Sequence, residues 1–244
     1  MRVGFIGAGN MASALARGWG DPVLCTDSGS GRAAKLAEEL GGEALGSNRD
    51  LAERADVVIL AHKPPQLNVV ADEIGDLARV VVSLLARTPR ADVQAAYPTA
   101  SVFRVEPNVP VEVGKGAIAF AASDDPQAEA IRELFARVGT VVEVPERLMT
   151  VAGAISGVGP AYWALIAEAW TDAAVRHGMP AAQAATLVTE TMAGSAALLT
   201  QTDTLALRRA VTSPGGTTAR GLAALERGGV RAALAAAMDD VVGG

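Results

Sequence analysis

A loop near the end of the chain combines residue types that can hold a small carboxylate. The segment 211–222, Val-Thr-Ser-Pro-Gly-Gly-Thr-Thr-Ala-Arg-Gly-Leu, joins one helical pattern to the next. Pro214 is expected to end the first helix, and Gly215 and Gly216 let a ligand approach the backbone without a Cβ in between. The next helix is expected to begin at Thr217, and its first N–H groups lack intrahelical acceptors and lie at the positive end of the helix dipole. The segment therefore predicts an anion site.

Two threonines follow these glycines, and one of them could act on a bound substrate. A hydroxyl beside a carboxylate held by the backbone can reach a neighbouring substrate atom, so Thr218 is the predicted catalytic side chain. The alternative is a capped helix start, in which Thr217 and Thr218 serve only as the cap and first turn. The predicted substrate-binding set is Ser213, Gly215, Gly216, Thr217 and Thr218.

A second motif lies at the start of the chain, where an apolar strand pattern over residues 2–6 runs into Gly-Ala-Gly-Asn-Met-Ala at residues 7–12. Gly7 permits a tight turn, Gly9 lets a pyrophosphate approach the backbone, and Ala12 takes the small position where a helix packs on the strand. Strand, glycine turn and helix follow in the order that a dinucleotide-binding unit requires; the alternative is a merely structural glycine turn. The residues predicted here to bind the cofactor are Gly7, Ala8, Gly9, Asn10 and Met11.

The residues after the second predicted strand bear on the choice between NADH and NADPH, and they point both ways. Asp27 lies 20 residues past Gly7, where an acid accepts a hydrogen bond from the adenosine 2′-hydroxyl and repels a 2′-phosphate. Ser28, Ser30 and Arg32 can instead donate to a 2′-phosphate, with Arg32 as its counter-charge. The residues alone therefore leave the cofactor open.

A histidine and a lysine follow the fourth predicted strand. The apolar run 56–61 is typical of a central parallel strand, and it leads into Ala-His-Lys-Pro at residues 61–64. Lys63, at the carboxyl end of this strand, is expected to contact the cofactor; a solvated loop charge is the alternative. His62 has no acid or nucleophile nearby in the sequence, so we expect a neutral lining residue rather than a general base.

Strand and helix patterns alternate up to residue 147, after which the strand patterns end. Strands are predicted at residues 2–6, 22–26, 43–45, 56–61, 80–84, 101–105, 117–121 and 140–144. Further on, nearly all of the sequence is rich in Ala and Leu and helical in pattern. The chain is therefore predicted to be an α/β protein, with a Rossmann-type doubly wound parallel sheet over residues 1–147 and an all-α dimerisation domain over residues 148–244.

Composition limits the partners and the location of the protein. The 244 residues are 50% hydrophobic and carry a net charge of −6 without a long basic run, so neither nucleic acid nor a membrane is an expected partner. One cysteine and two histidines cannot build a disulfide framework or a metal cluster, so no metal is predicted and a cytoplasmic location is expected. No leader is evident, and no apolar stretch is expected to be long enough to span a bilayer. The alanine-rich second domain cannot cover its own apolar faces, which predicts a homodimer or a higher homo-oligomer.

Together these motifs resemble the pyrroline-5-carboxylate reductase family, whose members reduce a cyclic imine carboxylate to proline. The similar segments are residues 3–11, 61–64, 104–108, 154–162 and 211–222, and the last follows the family signature almost letter for letter. The resemblance implies a two-domain enzyme with its active site at a dimer interface, with NADP(H) as preferred cofactor and NAD(H) as a possible one. It implies that Ser28 and Asn48 lie near the adenosine 2′-phosphate, although the residues alone explain Asn48 as a helix N-cap.

The resemblance completes the predicted sites. The cofactor residues outside the first glycine turn are Asp27, Ser28, Arg32, Asn48, Ala61, His62, Lys63 and Pro64. The resemblance also implies that residues 213–218 hold the substrate carboxylate and ring nitrogen.

Four residues depart from the family pattern. They are Glu106 in place of Met, Val109 in place of Thr, Val158 in place of Ser and Arg209 in place of an acid. They leave two alternatives open: a reductase of a related cyclic imine acid, and a cofactor-binding sensor without catalysis. A third alternative is a β-hydroxyacid dehydrogenase. That family has a similar two-domain plan and uses a lysine on the interdomain helix for proton transfer. The lysines here are Lys35, Lys63 and Lys115. None lies beyond residue 115, where the interdomain helix would follow, which argues against a dehydrogenase of this family.

Overall fold

The computed structural model describes residues 1–243, which divide after Pro160 into two compact units. The strands are β1 (Val3–Ile6), β2 (Leu24–Thr26), β3 (Glu43–Ala44), β4 (Val57–Leu60), β5 (Val80–Ser83), β6 (Ser101–Glu106), β7 (Gly116–Ala121) and β8 (Gly139–Val144). The helices of this first unit are α1 (Asn10–Trp19), α2 (Arg32–Leu40), α3 (Asn48–Arg54), α4 (Leu67–Ile74), α5 (Arg90–Ala96), α6 (Ala128–Ala136) and α7 (Met149–Ser156). Short 3-10 helices cover Pro64–Gln66, Val109–Val113 and Glu146–Leu148.

The eight strands form one sheet in the order β3-β2-β1-β4-β5-β6-β7-β8. Neighbouring strands are parallel throughout, except for the antiparallel pair β6 and β7. The first six strands follow the order of dinucleotide-binding folds, in which the direction of winding reverses between β1 and β4. The predicted Rossmann-type doubly wound sheet is therefore confirmed.

The reversal between β6 and β7 is the one antiparallel pairing in this otherwise parallel sheet of the described residues. Residues 107–115 alone separate the two strands, and they include the 3-10 helix Val109–Val113. A parallel crossover requires a dozen or so residues at least, usually with a helix. The short connection therefore sends the chain back antiparallel, and the longer one through α6 makes β8 parallel to β7.

Each face of the sheet has its own core, because successive side chains of a strand point to opposite faces. On one face, Phe5, Ile59 and Phe103 are fully buried in the cluster that includes residues of α1, α2 and α6. On the other face, Leu60 and Val81 pack in the cluster that includes residues of α3, α4 and α5. Strands β1, β2, β4 and β5 are buried at every residue, which explains why they are nearly continuous apolar runs in the sequence.

The helix α7 belongs to the first compact unit although it follows the last strand. Met149 is fully buried and packs with Ala119 and Ala121 of β7. The compact division therefore lies beyond this helix, at Pro160. The domain boundary placed at residue 147 from the sequence stays a prediction.

The second unit is helical and buries few of its side chains. Its helices are α8 (Gly159–Arg176), α9 (Ala181–Leu199), α10 (Thr204–Ala210), α11 (Thr217–Arg227) and α12 (Val230–Gly243). Within the described residues of these helices, only Ala184 and Val188 are buried. Trp163, Ile166 and Trp170 recur at helical spacing along α8 and are 60%, 37% and 51% exposed. They form an apolar stripe, called here the tryptophan stripe.

The helical stretch Glu146–Arg176 corrects one expectation from the sequence. It has 31 residues and contains an 18-residue window with a mean hydropathy of 1.3, so by length and composition it could cross a membrane. The expectation that no stretch had this length was wrong, because helical structure resumes at Gly159 after only two residues beyond the end of α7 at Ser156. One such helix is weak evidence for a membrane segment.

Candidate cofactor cleft and substrate loop

A cleft of about 1290 Å³ opens at the carboxyl ends of β1, β2, β4 and β5 in the first unit. In open α/β sheets ligands bind at this edge, where the strand order reverses, and here that point lies between β1 and β4. All of the predicted cofactor residues line the cleft: Gly7, Ala8, Gly9, Asn10, Met11, Asp27, Ser28, Arg32, Asn48, Ala61, His62, Lys63 and Pro64. Their individual roles stay predictions.

The glycine turn between β1 and α1 allows a ligand to approach closely. Gly7 has φ +100°, and a Cβ on it would lie 2.7 Å from the carbonyl carbon of Ala61. Gly9 is the N-cap of α1, so no side chain caps this helix. A Cβ on Gly9 would meet no protein atom within 4 Å. The fold therefore requires glycine at Gly7, whereas Gly9 keeps space open before the free N–H groups of α1. An anionic group such as a pyrophosphate fits that space.

Asp27 is held by the loop that leads into α2. One carboxylate oxygen accepts from the Gly29 N–H at 2.8 Å, and the other accepts from the Ser30 hydroxyl at 2.8 Å and the Ala33 N–H at 2.9 Å. These bonds, the one from Ala33 above all, lower the pKa of Asp27 to about 2. The carboxylate therefore organises its own loop, a role that its position after β2 did not suggest.

Asn48 links the end of β2 to α4. Its Oδ1 accepts from the Thr26 hydroxyl at 2.6 Å, and its Nδ2 donates to Glu73 Oε2 at 2.6 Å. The alternative interpretation of Asn48 as an N-cap was wrong, because Ser47 caps α3 and accepts from the Asp50 N–H at 3.1 Å. Asn48 is instead the first helical residue, and its amide is oriented by two neighbours in the cleft wall.

His62 offers the cleft an unpartnered nitrogen. Its Nδ1 lies 3.0 Å from the Lys63 carbonyl oxygen, and its buried Nε2 has no hydrogen-bond partner among residues 1–243. Burial lowers the pKa of His62 below its ordinary value. A neutral ring that donates from Nδ1 to the carbonyl leaves Nε2 as an acceptor, which a donor on a bound cofactor can satisfy. This agrees with the expected neutral lining residue.

Three basic side chains, Arg32, Arg49 and Lys63, line the cleft, and within the described residues only Arg49 forms an ion pair. Arg49 is paired with Asp76 at 3.2 Å, and both groups are exposed. Arg32 and Lys63 are exposed, and neither makes an ion pair with a side chain among residues 1–243. These two cations are therefore available to the phosphate groups of a dinucleotide.

Helix α4 also contributes to the cleft, which was not predicted from the sequence. The lining residues from this helix are Val69, Val70, Asp72 and Glu73. Leu67, Val70, Ala71 and Ile74 are buried at the spacing i, i+3, i+4 and i+7, so an amphipathic pattern was present that could have identified the helix.

In the second unit, the predicted substrate residues lie together at the start of α11. Gly215 has φ +68°, the Gly216 N–H donates to the Ser213 carbonyl at 3.0 Å, and Gly216 is the N-cap. The alternative of a threonine cap was wrong, because Thr217 and Thr218 are the first two helical residues and no side chain caps the helix. Within residues 1–243 the half-buried Thr218 hydroxyl has no hydrogen-bond partner. The helix start therefore has the free N–H groups of an anion site.

The departure at Glu106 has a structural explanation in the first unit. Arg104 is 4% exposed, and its guanidinium contacts Glu106 Oε1 at 2.5 Å and Glu146 Oε1 at 2.9 Å. A buried cation requires a paired anion, and Glu106 supplies one from the same face of β6. Nothing in the structure explains Val109, Val158 or Arg209.

Two family models match the chain. Residues 146–243 match the family described as pyrroline-5-carboxylate reductase dimerisation, and residues 2–87 match the family described as NADP oxidoreductase, coenzyme F420-dependent. The second match covers the strands and turns that form the cleft. The first covers the helical segment with the loop at Thr218.

Relatives match over most of the chain. A pyrroline-5-carboxylate reductase of Synechocystis sp. is 40% identical over an alignment of 194 positions, which covers 77% of this chain and 73% of the relative. The solved structure of a pyrroline-5-carboxylate reductase from Coxiella burnetii has a TM-score of 0.88 at 32% identity, covering 99% of this chain and 96% of that one. A Plasmodium falciparum pyrroline carboxylate reductase with NADP bound has a TM-score of 0.86 at 26% identity, covering 99% and 95%. The chain belongs to the pyrroline-5-carboxylate reductase family.

Proposed function

We propose that this chain reduces 1-pyrroline-5-carboxylate to L-proline, with NADPH as the preferred reductant and NADH as a possible second one. The observation that carries the proposal is the start of α11, where free N–H groups and the unpartnered Thr218 hydroxyl lie within the segment matched to the family. The NADP bound to the Plasmodium relative and the NADP oxidoreductase match support the cofactor.

The residues of the cleft fit a nicotinamide dinucleotide. The open space at Gly9 and the N-terminus of α1 suit its pyrophosphate, and the buried acceptor His62 Nε2 suits a donor on the cofactor. The exposed cations Arg32 and Lys63 suit its phosphate groups. When bound, the reduced cofactor supplies a hydride to the imine carbon.

The start of α11 has two tasks in the proposed reaction. The free backbone N–H groups of Thr217 and Thr218 hold the substrate carboxylate and so fix the orientation of the ring, whereas the Gly216 N–H already donates to the Ser213 carbonyl. The Thr218 hydroxyl makes one hydrogen bond at the ring nitrogen. A hydroxyl alone is a weak acid, so the substrate binds as its iminium or receives a proton that Thr218 relays from water.

Initial rates decide between this function and its alternatives. The five-membered imine acid and its six-membered homologue are each assayed with NADPH and with NADH. We expect the highest kcat/KM with the five-membered ring and NADPH. A higher value for the six-membered ring would assign the chain to the related imine acid. Cofactor binding without oxidation in the presence of either imine would favour the non-catalytic sensor.

We further propose that the protein acts as a homodimer, or a higher homo-oligomer, in the cytoplasm. The second unit leaves its tryptophan stripe exposed, and this segment matches a dimerisation family. A second copy of the chain is therefore the proposed cover for the apolar faces of Glu146–Arg176, in place of lipid. Sedimentation of a folded monomer at micromolar concentration would contradict the dimer.

A further inference from the structure

The end of β2 is where dinucleotide-binding folds place the adenosine ribose, and an acidic residue there conventionally accepts from its 2′-hydroxyl. Asp27 has the expected position, but its two oxygens accept three hydrogen bonds from its own loop. A different carboxylate faces the same part of the cleft. Glu73 lines the cleft from α4 and accepts the Nδ2–H of Asn48, whose Oδ1 is bound to Thr26 at the end of β2.

We propose that Glu73, and not Asp27, is the carboxylate that limits the preference of this chain for NADPH over NADH. The inference rests on the proposed function, because it concerns the cofactor of that reaction. Through Asn48, Glu73 is connected by two hydrogen bonds to the strand end beside which the ribose lies.

Glu73 acts on a 2′-phosphate in two ways. A 2′-phosphate carries a charge of about −1.5 to −2 at neutral pH, so a neighbouring carboxylate repels it. The same carboxylate occupies one of the two amide hydrogens of Asn48, which leaves one for the cofactor. Neither effect applies to a 2′-hydroxyl, which is neutral and accepts or donates one hydrogen bond. Glu73 therefore disfavours NADPH without disfavouring NADH.

The neighbouring Asp72 provides a matched control. Asp72 also lines the cleft and is exposed on α4, but no hydrogen bond joins it to Asn48 among the described residues. Asp72→Asn removes the same unit of charge one residue away. Glu73→Gln keeps the size of the side chain and an acceptor for Asn48, so both variants should fold.

The experiment measures binding of 2′,5′-ADP and of 5′-AMP to the full chain by titration calorimetry. These probes differ by the 2′-phosphate alone and require no imine turnover, so failure of the inference is distinguishable from failure of the proposed reaction. Glu73→Gln is expected to raise the affinity ratio of 2′,5′-ADP to 5′-AMP about fivefold, the size that exposed charge pairs contribute. Asp72→Asn is expected to raise it less than about twofold.

Three results would overturn the inference. An unchanged ratio in Glu73→Gln would mean that the carboxylate is too distant to act. An equal rise in Asp72→Asn would assign the effect to the general field of α4. A fall in 2′,5′-ADP affinity would mean that Glu73 assists the 2′-phosphate by orienting Asn48.

Discussion

The two units of this chain differ in how well each covers its own apolar side chains. In the first unit, Phe5, Phe103 and Phe120 are fully buried between the sheet and its helices. In the helices of the second unit the described residues bury only Ala184 and Val188, and the tryptophan stripe is exposed. A region with a complete core folds and binds its ligand by itself, whereas a region without one depends on what covers it. Cofactor binding should therefore be independent of association, and imine reduction should depend on it.

The largest expected effect is a loss of imine reduction in a monomeric variant that still binds the cofactor. Trp163→Glu with Trp170→Glu places two charges on the tryptophan stripe, where burial of each ring should contribute roughly 1.5–3 kcal/mol to association. We expect a monomer whose imine reduction falls by more than about 10²-fold, while NADPH affinity changes less than about twofold. Sedimentation, initial rates and NADPH titration measure the three quantities.

Glu168→Gln, on the same helix, is the control for this variant, and it should leave the sedimentation coefficient unchanged. A double variant that remained dimeric, or a monomer with full turnover, would remove the proposed difference between the units.

Thr218→Ala should have the next largest effect. Loss of the hydroxyl at the ring nitrogen is expected to lower kcat about 10²-fold, while the backbone donors to the carboxylate remain and KM moves by a small factor. Thr218→Ser should retain much of the rate. Steady-state kinetics of both variants measure this. An unchanged kcat in Thr218→Ala would remove the residue from the mechanism.

Glu106→Met tests the stability of the first unit and involves neither the second unit nor a second copy of the chain. The substitution restores the family residue but leaves the buried Arg104 with Glu146 as its remaining carboxylate. We expect a loss of about 2 kcal/mol in the free energy of unfolding. Glu112→Gln is the control, because Glu112 and Arg17 form an exposed pair at 3.2 Å that should contribute less than about 1 kcal/mol.

Urea unfolding is best measured in the Trp163→Glu, Trp170→Glu background. The chain has three tryptophans, so Trp19, which is buried in the first unit, is the one that remains to report on unfolding. Equal losses for Glu106→Met and Glu112→Gln would show that burial of the Arg104 pair has no energetic consequence.

The smallest effect is a pH dependence that originates at Asp27. Its folded pKa of about 2 lies below the ordinary value of 3.8, so the unfolded chain takes up the proton first on acidification. The stabilisation is complete above about pH 4 and is lost as the pH falls towards 2; it should amount to about 1 kcal/mol after allowance for solvent screening. Asp27→Asn should flatten this part of the profile, as urea midpoints between pH 5 and pH 2 would reveal. A profile as steep as that of the parent chain would contradict it.

Much of the first unit could be predicted from the sequence, because buried parallel strands are continuous apolar runs between turn residues. Predicted strand 101–105 corresponds to Ser101–Glu106, and predicted strand 80–84 to Val80–Ser83. Strand patterns carry no direction, so the antiparallel β7 was not predicted. Helix Leu67–Ile74 was missed although its pattern was present.

The cleft residues were predicted as a set, but their partners were not. Asp27 was interpreted from its distance to Gly7, whereas its hydrogen bonds depend on how the loop to Ala33 closes. The link from Thr26 through Asn48 to Glu73 joins residues far apart in the sequence, and only the packing of α3 and α4 brings them together. The pair of Arg104 and Glu106 was within reach, because residues two apart on a strand share a face.

The uncovered helices follow the first unit in the chain, and this order matters during synthesis. The first unit ends at Pro160, so its whole sheet is made before most of the second unit. At about 5–20 residues per second, the ribosome needs several more seconds to complete the helices, during which the first unit can already fold. The sheet can therefore form before the apolar faces that invite aggregation are made, and we expect a scarcity of partner chains to harm the yield of this protein more than slow synthesis of the second unit does.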